Sequence, residues 1–345
     1  MIRTIDFRVD VLRNGILYDK LIYADPPTIY CDATAEIKMT MQGSFVQNPN
    51  VNLLSDELRP VVIIDDVEHP VGVFRPVTYR EVFRDGSTFI DVEAYDRAIL
   101  LKWVRNETVK YFSSSETYQN AVTSLMNGCG ITSISIEPMT STLGASRIYE
   151  AGTEYLAIVN ELLNEMGYEG AWFDQNGQAI IREYSTPTPG SVTKQYGKNT
   201  PGGVYTLISP DVTRETDAFD IPNVFICVAT SPDLSNPIKA TVANDSPLSP
   251  LSTVNRGVRI AQVYELNDAV DQAALNRYAT KLRDQHMWAT ETVQIQTAIN
   301  PDHLVGEIVA LTDDPVAGVY REKAWSFQMQ AGSMMNHTLE RMAFA

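Results

Sequence analysis

Cysteine is scarce and scattered: Cys31, Cys129 and Cys227 are odd in number, far apart and form no C-x-x-C pair in a chain of 345 residues. A secreted disulfide scaffold and a cysteine-based zinc module both need paired or clustered thiols, so free, buried thiols are expected. Long apolar runs are missing too. Nothing approaches the roughly 18 residues of a membrane-spanning helix, and the N-terminal MIRTIDFRVDVLR spreads charge where a signal peptide needs an apolar core. Synthesis and assembly in a cytoplasm, without stable membrane insertion, is the expectation. Cations are outnumbered, 27 Lys and Arg against 43 Asp and Glu, for a net charge of -16. Nucleic-acid binding needs clustered Lys and Arg, so specific DNA binding is not expected. An acidic wall would suit a passage through which DNA moves without sticking, and acidity equally serves plain solubility.

Histidine numbers only four, and no H-E-x-x-H, G-x-S-x-G, P-loop or complete dinucleotide fingerprint occurs. His69 stands beside Asp65, Asp66 and Glu68, but adjacent acids at a hairpin turn point in different directions and turn chemistry already explains them. His303 reads as loop, His286 as a helix-end residue that complements the helix dipole, and His337 as part of the last strand. Gly128-Cys129-Gly130 follows a helix where the dinucleotide fingerprint needs a strand, and no spacing supports Cys129 as a nucleophile. Among 43 acids no pair stands out for glycoside hydrolysis. Trp325 and Phe327 alternate on one strand, a pattern that fits a core before it fits a sugar-stacking platform. Catalytic, cofactor-binding and metal-ligating residues are therefore assigned to none, and no cofactor is expected.

What the chain has is strand patterning. Ile5, Phe7, Val9 and Val11 alternate with polar residues up to Asn14-Gly15, a strong two-residue hairpin turn, and Leu17 to Tyr23 follow. Ile37, Met39 and Met41 alternate in the same way, and two apolar runs, Val61 to Ile64 and Val67 to Phe74, flank Asp65-Asp66 as hairpin arms flank a turn. Asp85-Gly86 makes a further turn before a strand from Thr88 to Ala94. The period then changes. Tyr118, Ala121, Val122, Leu125 and Met126 share one helix face after a serine run that can cap it, and Tyr155, Val159, Leu162, Leu163 and Met166 share another, with Thr153 as candidate cap. The two helices align at one constant offset, Tyr118 on Tyr155 and Gly130 on Gly167, as either a duplicated helix-then-strand unit or any two amphipathic helices ending in glycine. Gly170 to Phe173 and Gln178 to Glu183 form another hairpin signal. Ser, Thr, Pro and Gly dominate from Ser185 to Gly203, a linker or surface loop. Ile221 to Ala229 reads as a strand, 231–237 as a polar excursion, Asp268 to Met287 as a helix capped by Asn267 or Asp268, and strands close the chain.

The order of elements, with RPVVIIDDVEHPVGVF (59–74) as its most specific phrase, resembles the tail-tip or baseplate hub proteins of phages and phage-derived particles of Gram-positive bacteria. The ending, LVGEIVAL and GVYREKAWSFQM, resembles the second barrel of the late-control-protein-D-like hub family, and NDSPLSPLSTVNRG (244–257) is similar to the same tail proteins. The resemblance implies a β-rich α+β chain: a first β-barrel-like domain over 1–103, a mixed middle domain over 104–185, a linker over 186–217, and a second β-barrel-like domain over 218–345 carrying the helix 268–287. It implies a non-enzymatic virion tail protein assembled in the bacterial host cytoplasm. Three chains would form a ring adapting a six-fold tail tube to a three-fold tip, with a channel for genome or tape measure. Partners would be the tail tube or distal tail protein, the tape-measure protein, and a spike or fibre. A tail-associated cell-wall hydrolase and a carbohydrate- or receptor-binding tail protein are the alternatives. The candidate contact loop is too rich in Pro, Ser and Asn for regular structure and comprises Asn244, Asp245, Pro247, Leu248, Pro250, Leu251 and Arg256.

Overall fold

Two residue pairs with positive φ set the first hairpins of the computed structural model, which describes residues 4–84, 86–197, 213–216, 221–229, 238–266, 271–288 and 291–342. Asn14 and Gly15 (φ 53° and 76°) join β1 (Ile5–Arg13) to β2 (Ile16–Leu21). After β3 (Tyr23–Asp32) and β4 (Met39–Val46), Asp65 and Asp66 (φ 48° and 67°) join β5 (Glu57–Ile64) to β6 (Val67–Pro70) with Ile64 opposite Val67. Both pairs have the left-handed backbone that matches strand twist, so the Asp-Asp turn is as tight as the Asn-Gly one. Next come β7 (Phe74–Arg84) and β8 (Ser87–Asp96); Asp85 of the expected turn lies outside the described residues. Strand β2 runs into β3 through Ile22, whose carbonyl accepts from Val46 N at 2.8 Å. The neighbours β1, β2/β3, β4, β8, β7, β5 and β1 again thus complete a circuit, closed at β5–β7 by the single pair Leu58–Phe74. Val9, Met41, Phe45, Leu58 and Phe74 fill it.

Strand character does not last to residue 103: Ala98–Trp103 is helix α1. The fully buried Asp96 carboxylate accepts from Ala98 N (2.8 Å) and Met39 N (2.9 Å), satisfying a free helix N–H and the start of β4 together. The middle region then builds β9 (Lys110–Phe112), α2 (Tyr118–Gly128), β10 (Ile134–Ile136), β11 (Arg147–Tyr149), α3 (Tyr155–Glu165), β12 (Trp172–Phe173) and β13 (Ala179–Ile181). Thr117, not the serine run, caps α2 by accepting from Asn120 N. The first residue before α3 is Glu154, which makes no side-chain cap, while Thr153 donates to Glu150 O instead.

The two helical units are geometrically equivalent. Tyr118 N donates to Ser141 O (3.1 Å) as Tyr155 N does to Val104 O (3.0 Å). Both helices end with the same paired bonds, Ile131 N to Met126 O with Gly130 N to Asn127 O, and Tyr168 N to Leu163 O with Gly167 N to Asn164 O. β9 and β11 pair antiparallel, and the bridges Arg105–Glu154 and Thr117–Thr142 extend that ladder at its two ends. A local two-fold therefore relates two strand-helix units whose helices share one core around Val122, Leu125, Val159 and Leu162.

Downstream, a single 3₁₀ turn (Pro189–Ser191) precedes β14 (Lys194–Tyr196), and β15 (Thr213–Thr216) follows. β16 (Val224–Ala229) and β17 (Ile238–Ala243) precede α4 (Thr253–Arg256). Then come β18 (Ala261–Leu266), α5 (Gln272–Trp288), β19 (Glu291–Ala298), β20 (Ile308–Leu311), β21 (Gly318–Gln328) and β22 (Met334–Arg341). The polar excursion at 231–237 and residues 267–270, with the expected caps of the long helix, lie outside the described residues; Asp271 accepts from Ala274 N at 2.7 Å. β17–β16–β18 form a small sheet covered by α5 through Phe225, Cys227, Leu275 and Ala279.

A 14-stranded sheet contains every strand of the first region and β14, β15 and β19 to β22 of the last. Its seam is β21, whose first half pairs with β20 and whose second half pairs with β3, Trp325 opposite Cys31. Trp325, Phe327 and Met329 thereby enter the first core, whereas Tyr320 and Leu339 belong to a second one with Tyr196, Val293 and Val309. The architecture is β-rich α+β. No helix among the described residues is long and apolar enough to cross a membrane.

Candidate functional site

Three places in this fold expose or concentrate chemistry. The first is the loop at 244–257. Asn244 and Leu251 are buried, and Arg256 Nη1 donates to Ile221 O (2.9 Å), so these three hold the loop from inside. Its order comes from side chains: Asn244 Nδ2 to Ser249 Oγ (2.8 Å), Asn255 Nδ2 to Pro247 O and Ser249 O, and Asn223 Nδ2 to Leu251 O and Val258 O. Ser252 caps the single turn of α4, which Gly257 ends at φ 66°. Regular structure does occur here, because Ser and Asn side chains supply the bonds that backbone would make elsewhere. Asp245, Pro247, Leu248 and Pro250 face outward.

The second is an apolar surface on the first β region. Among the described residues β2 pairs only with β1, and Ile16, Leu17 and Tyr18 on it and Ile22 just after it are exposed, Ile16 and Ile22 at 72%; elsewhere on the circuit β7 exposes Phe83 (76%), Val77 and Tyr79. An unpaired strand edge beside large apolar side chains is a template for another chain.

The third is internal and escaped the sequence reading. His303 (between β19 and β20), Glu322 (β21) and His337 (β22) are all buried, and their ligand atoms lie within 4.8 Å of one another. His303 Nδ1 lies 2.5 Å from Glu307 Oε2, and Lys194 Nζ (2.8 Å) and Thr193 Oγ1 (2.7 Å) donate to the other oxygen. His337 Nδ1 faces both Glu322 oxygens (3.2 and 3.1 Å), and its Nε2 meets Thr297 Oγ1 (2.8 Å). His303 Nε2 has Glu322 Oε2 at 3.1 Å and the Tyr196 hydroxyl at 3.1 Å. The cluster sits where the two cores meet, with the His303 ring stacked on Trp325. A register shift between Glu322 and Ala324 breaks the strict alternation, so Glu322 and Trp325 both point inward. Burial would raise the Glu307 carboxyl, but His303, Lys194 and Thr193 outweigh it and hold it near 2. None of this was visible as a motif, because the residues arrive from separate strands.

The other two histidines stay apart: His69 Nδ1 pairs with Asp302 (2.9 Å), and His286 Nδ1 contacts Leu282 O within α5. Glu68, beside His69, is instead held by Arg8 at 2.7 and 2.8 Å. Cys31 and Cys227 are buried and Cys129 half-buried; burial pushes the Cys129 and Cys227 thiols up to about 11, away from the reactive thiolate. A cavity of about 330 Å³ lies where the middle region, α5 and the seam meet, lined by Lys38, Arg182, Lys281, Arg321, Glu169 and Glu307 among others. Lys281 donates to Asn164 Oδ1 and Tyr168 O there, and burial pushes its ammonium down to about 8. Lys281 thereby ties α5 to α3, while Lys38 donates to Ala33 O and Ala35 O and fastens the turn before β4.

No family model matches the sequence, and no curated protein does. The fold does match solved structures. A tail protein from Neisseria meningitidis is 16% identical with a TM-score of 0.66 over 97% of both chains. The MuSo2 prophage tail protein from Shewanella oneidensis is 12% identical with a TM-score of 0.66 over 98% of both. The prophage tail protein gp18 from Listeria monocytogenes is 12% identical with a TM-score of 0.57 over 96% of this chain and 94% of the other. At such identities the likeness is one of fold.

Proposed function

We propose that the chain is a structural subunit of a phage tail tip or baseplate hub, located in the virion tail and without catalytic activity of its own. The observation that carries this reading is the length of the likeness: the fold corresponds to tail proteins from end to end, 97% of both chains in one case. In this reading the circuit of β1 to β8 and the sheet of β14, β15 and β19 to β22 act as two barrel-like domains around the mixed middle. Three chains close a ring with pseudo-six-fold character, which meets a six-fold tail tube or distal tail protein on one side and a three-fold spike or fibre on the other. A central passage passes tape-measure protein and genome, and the charge of -16 keeps DNA from adhering. The exposed apolar side chains on β2 and, separately, on β7 supply surface for permanent interfaces, a class that usually buries about 2,000 Å² or more. A Gram-positive host is proposed on the sequence phrases at 59–74 and 244–257; the fold likeness spans Neisseria, Shewanella and Listeria proteins and selects no host. Trp325 is buried, which removes the side chain that a sugar-binding reading would need.

The test is the mass of the native particle by light scattering over a range of concentration and salt, followed by imaging. A trimer with an open centre supports the hub. A persistent monomer that also fails to bind tail-tube or distal-tail rings overturns it, and release of peptidoglycan fragments by purified protein would replace it with the hydrolase reading.

A further inference from the structure

The buried cluster of His303, Glu322 and His337 has one unresolved account: its hydrogens. The Thr297 hydroxyl lies 2.9 Å from Ala298 O and 2.8 Å from His337 Nε2; where its single hydrogen goes to Ala298 O, it accepts at His337 Nε2. In that arrangement His337 carries its N–H on Nε2. His303 likewise commits Nδ1–H to the Glu307 carboxylate at 2.5 Å. The nitrogens left over, His303 Nε2 and His337 Nδ1, each lie 3.1 Å from the same oxygen, Glu322 Oε2. In that arrangement two nitrogen lone pairs face one carboxylate oxygen, with the Tyr196 hydroxyl (3.1 Å) as a donor to His303 Nε2 alone, and a positive species among them would relieve the remaining repulsion.

Two species satisfy that geometry. One is a second proton on each ring, giving two imidazoliums with centroids 5.1 Å apart on one carboxylate. The other is one divalent cation bound by both nitrogens and the carboxylate. Lys194 already balances Glu307, so both leave the same net charge in the interior. The cation replaces repulsion between buried like charges with three directed bonds, and burial makes that difference count. The remaining partners are those that metal-bound histidines carry: a carboxylate on His303 Nδ1 and a hydroxyl on His337 Nε2, each fixing its ring.

We propose that His303 Nε2, His337 Nδ1 and the Glu322 carboxylate bind one divalent transition-metal ion, with the Tyr196 hydroxyl, 3.1 Å from His303 Nε2, as the nearest further oxygen. Imidazole nitrogen with carboxylate oxygen selects zinc and its first-row neighbours over calcium or magnesium. The ligand side chains are at most 1% exposed, so the ion is a structural clasp rather than a catalytic centre. It would tie β21, β22 and the 299–307 segment together where the two cores meet, and through Glu307 and Lys194 it would hold β14 as well.

Full-length protein, stripped with chelator and re-equilibrated with Zn²⁺ or Co²⁺, tests this by metal analysis, thermal shift and X-ray absorption. One ion per chain, a raised melting temperature and a ligand shell with two imidazoles and no sulfur are expected. Glu307→Gln, which removes the charged partner of His303 and of Lys194 but no ligand atom, should weaken binding by about 10- to 100-fold. Glu322→Gln should abolish binding; if it does not fold, the wild-type ligand shell decides alone. Failure of wild-type protein to retain zinc or cobalt overturns the proposal. So does an ion held by sulfur or by a single imidazole, or one retained with unchanged affinity in folded Glu322→Gln.

Discussion

Replacing Asp10 with alanine should open the first β region locally, by an amount that its contacts fix. The Asp10 side chain has no exposed surface and accepts from Arg8 Nε (2.6 Å), Arg8 Nη2 (3.2 Å) and, across the strand pair, Arg59 Nη2 (2.8 Å). Removing one partner of a buried ion pair costs about 3–5 kcal/mol. Two features lower that figure. Arg8 keeps its bidentate partner Glu68, and the Arg8 and Arg59 side chains are 18% and 27% exposed, so water can reach them. About 2–3 kcal/mol remains, which should raise amide exchange in β1 and β5 by roughly 30- to 150-fold under native conditions. Burial alone would raise the Asp10 carboxyl, but the bonds and charges of Arg8 and Arg59 outweigh it and hold it below the usual carboxylate value. A depressed folded value means that the contribution is complete above the unfolded value of about 3.9 and is lost as pH falls through the folded one. The gap between wild type and Asp10→Ala should thus be constant at neutral pH and close in acid. An exchange change under about threefold, or a gap that does not narrow as pH falls below the usual carboxylate value, would refute the reasoning.

Tyr118→Phe removes the hydroxyl that donates to the buried Glu165 carboxylate at 2.7 Å; burial pushes that carboxyl up to about 7. Because the folded value is raised, wild-type stability should fall as pH climbs from the ordinary carboxylate range through about 7, and the variant should lose about 1.5–3 kcal/mol at pH 8 but only about 0.5–1.5 at pH 5. Urea unfolding at both values checks this, and equal losses would contradict it. Gly177→Ala puts a Cβ 2.9 Å from Val73 Cβ at a φ of 74°, so a loss of roughly 2 kcal/mol or more and faster exchange at Asp174–Gln178 are expected; unchanged exchange there would count against the tight packing. Deleting the exposed tip around Leu248, or placing Asp there, should impair ring assembly while circular dichroism of the subunit stays the same. Unaffected assembly would remove this loop from the interface.

Local chemistry made much of the fold legible. Asn14-Gly15 and Asp65-Asp66 carry their turns in two residues each, and the apolar stripes of α2 and α3 need no distant partner to be recognised. Helix α1 was hidden because six residues are too few for periodicity, and its start is set by Asp96 packing against β4. The 244–257 loop looked irregular because its bonds are made by side chains, which propensity does not count. The buried polar cluster was illegible for a further reason: His303, Glu322 and His337 become neighbours only through strand register and one bulge, and each has an innocent local reading. The Ser/Thr/Pro/Gly stretch likewise concealed β14, whose Tyr196 is fully buried by a parallel pairing with β20.

The local two-fold in the middle region means that each strand-helix unit is the other's solvent shield. Severed from its twin, either unit would leave the apolar stripe of its helix in water, so a half-region peptide should be unstructured as a monomer. Because β9 and β11 offer equivalent edges to each other, two copies of the same half have what they need to pair. One polypeptide thus contains, folded into its interior, the kind of contact that identical molecules make when they dimerise. Substitutions at matched positions such as Val122 and Val159 act on that contact from its two sides and should not be additive.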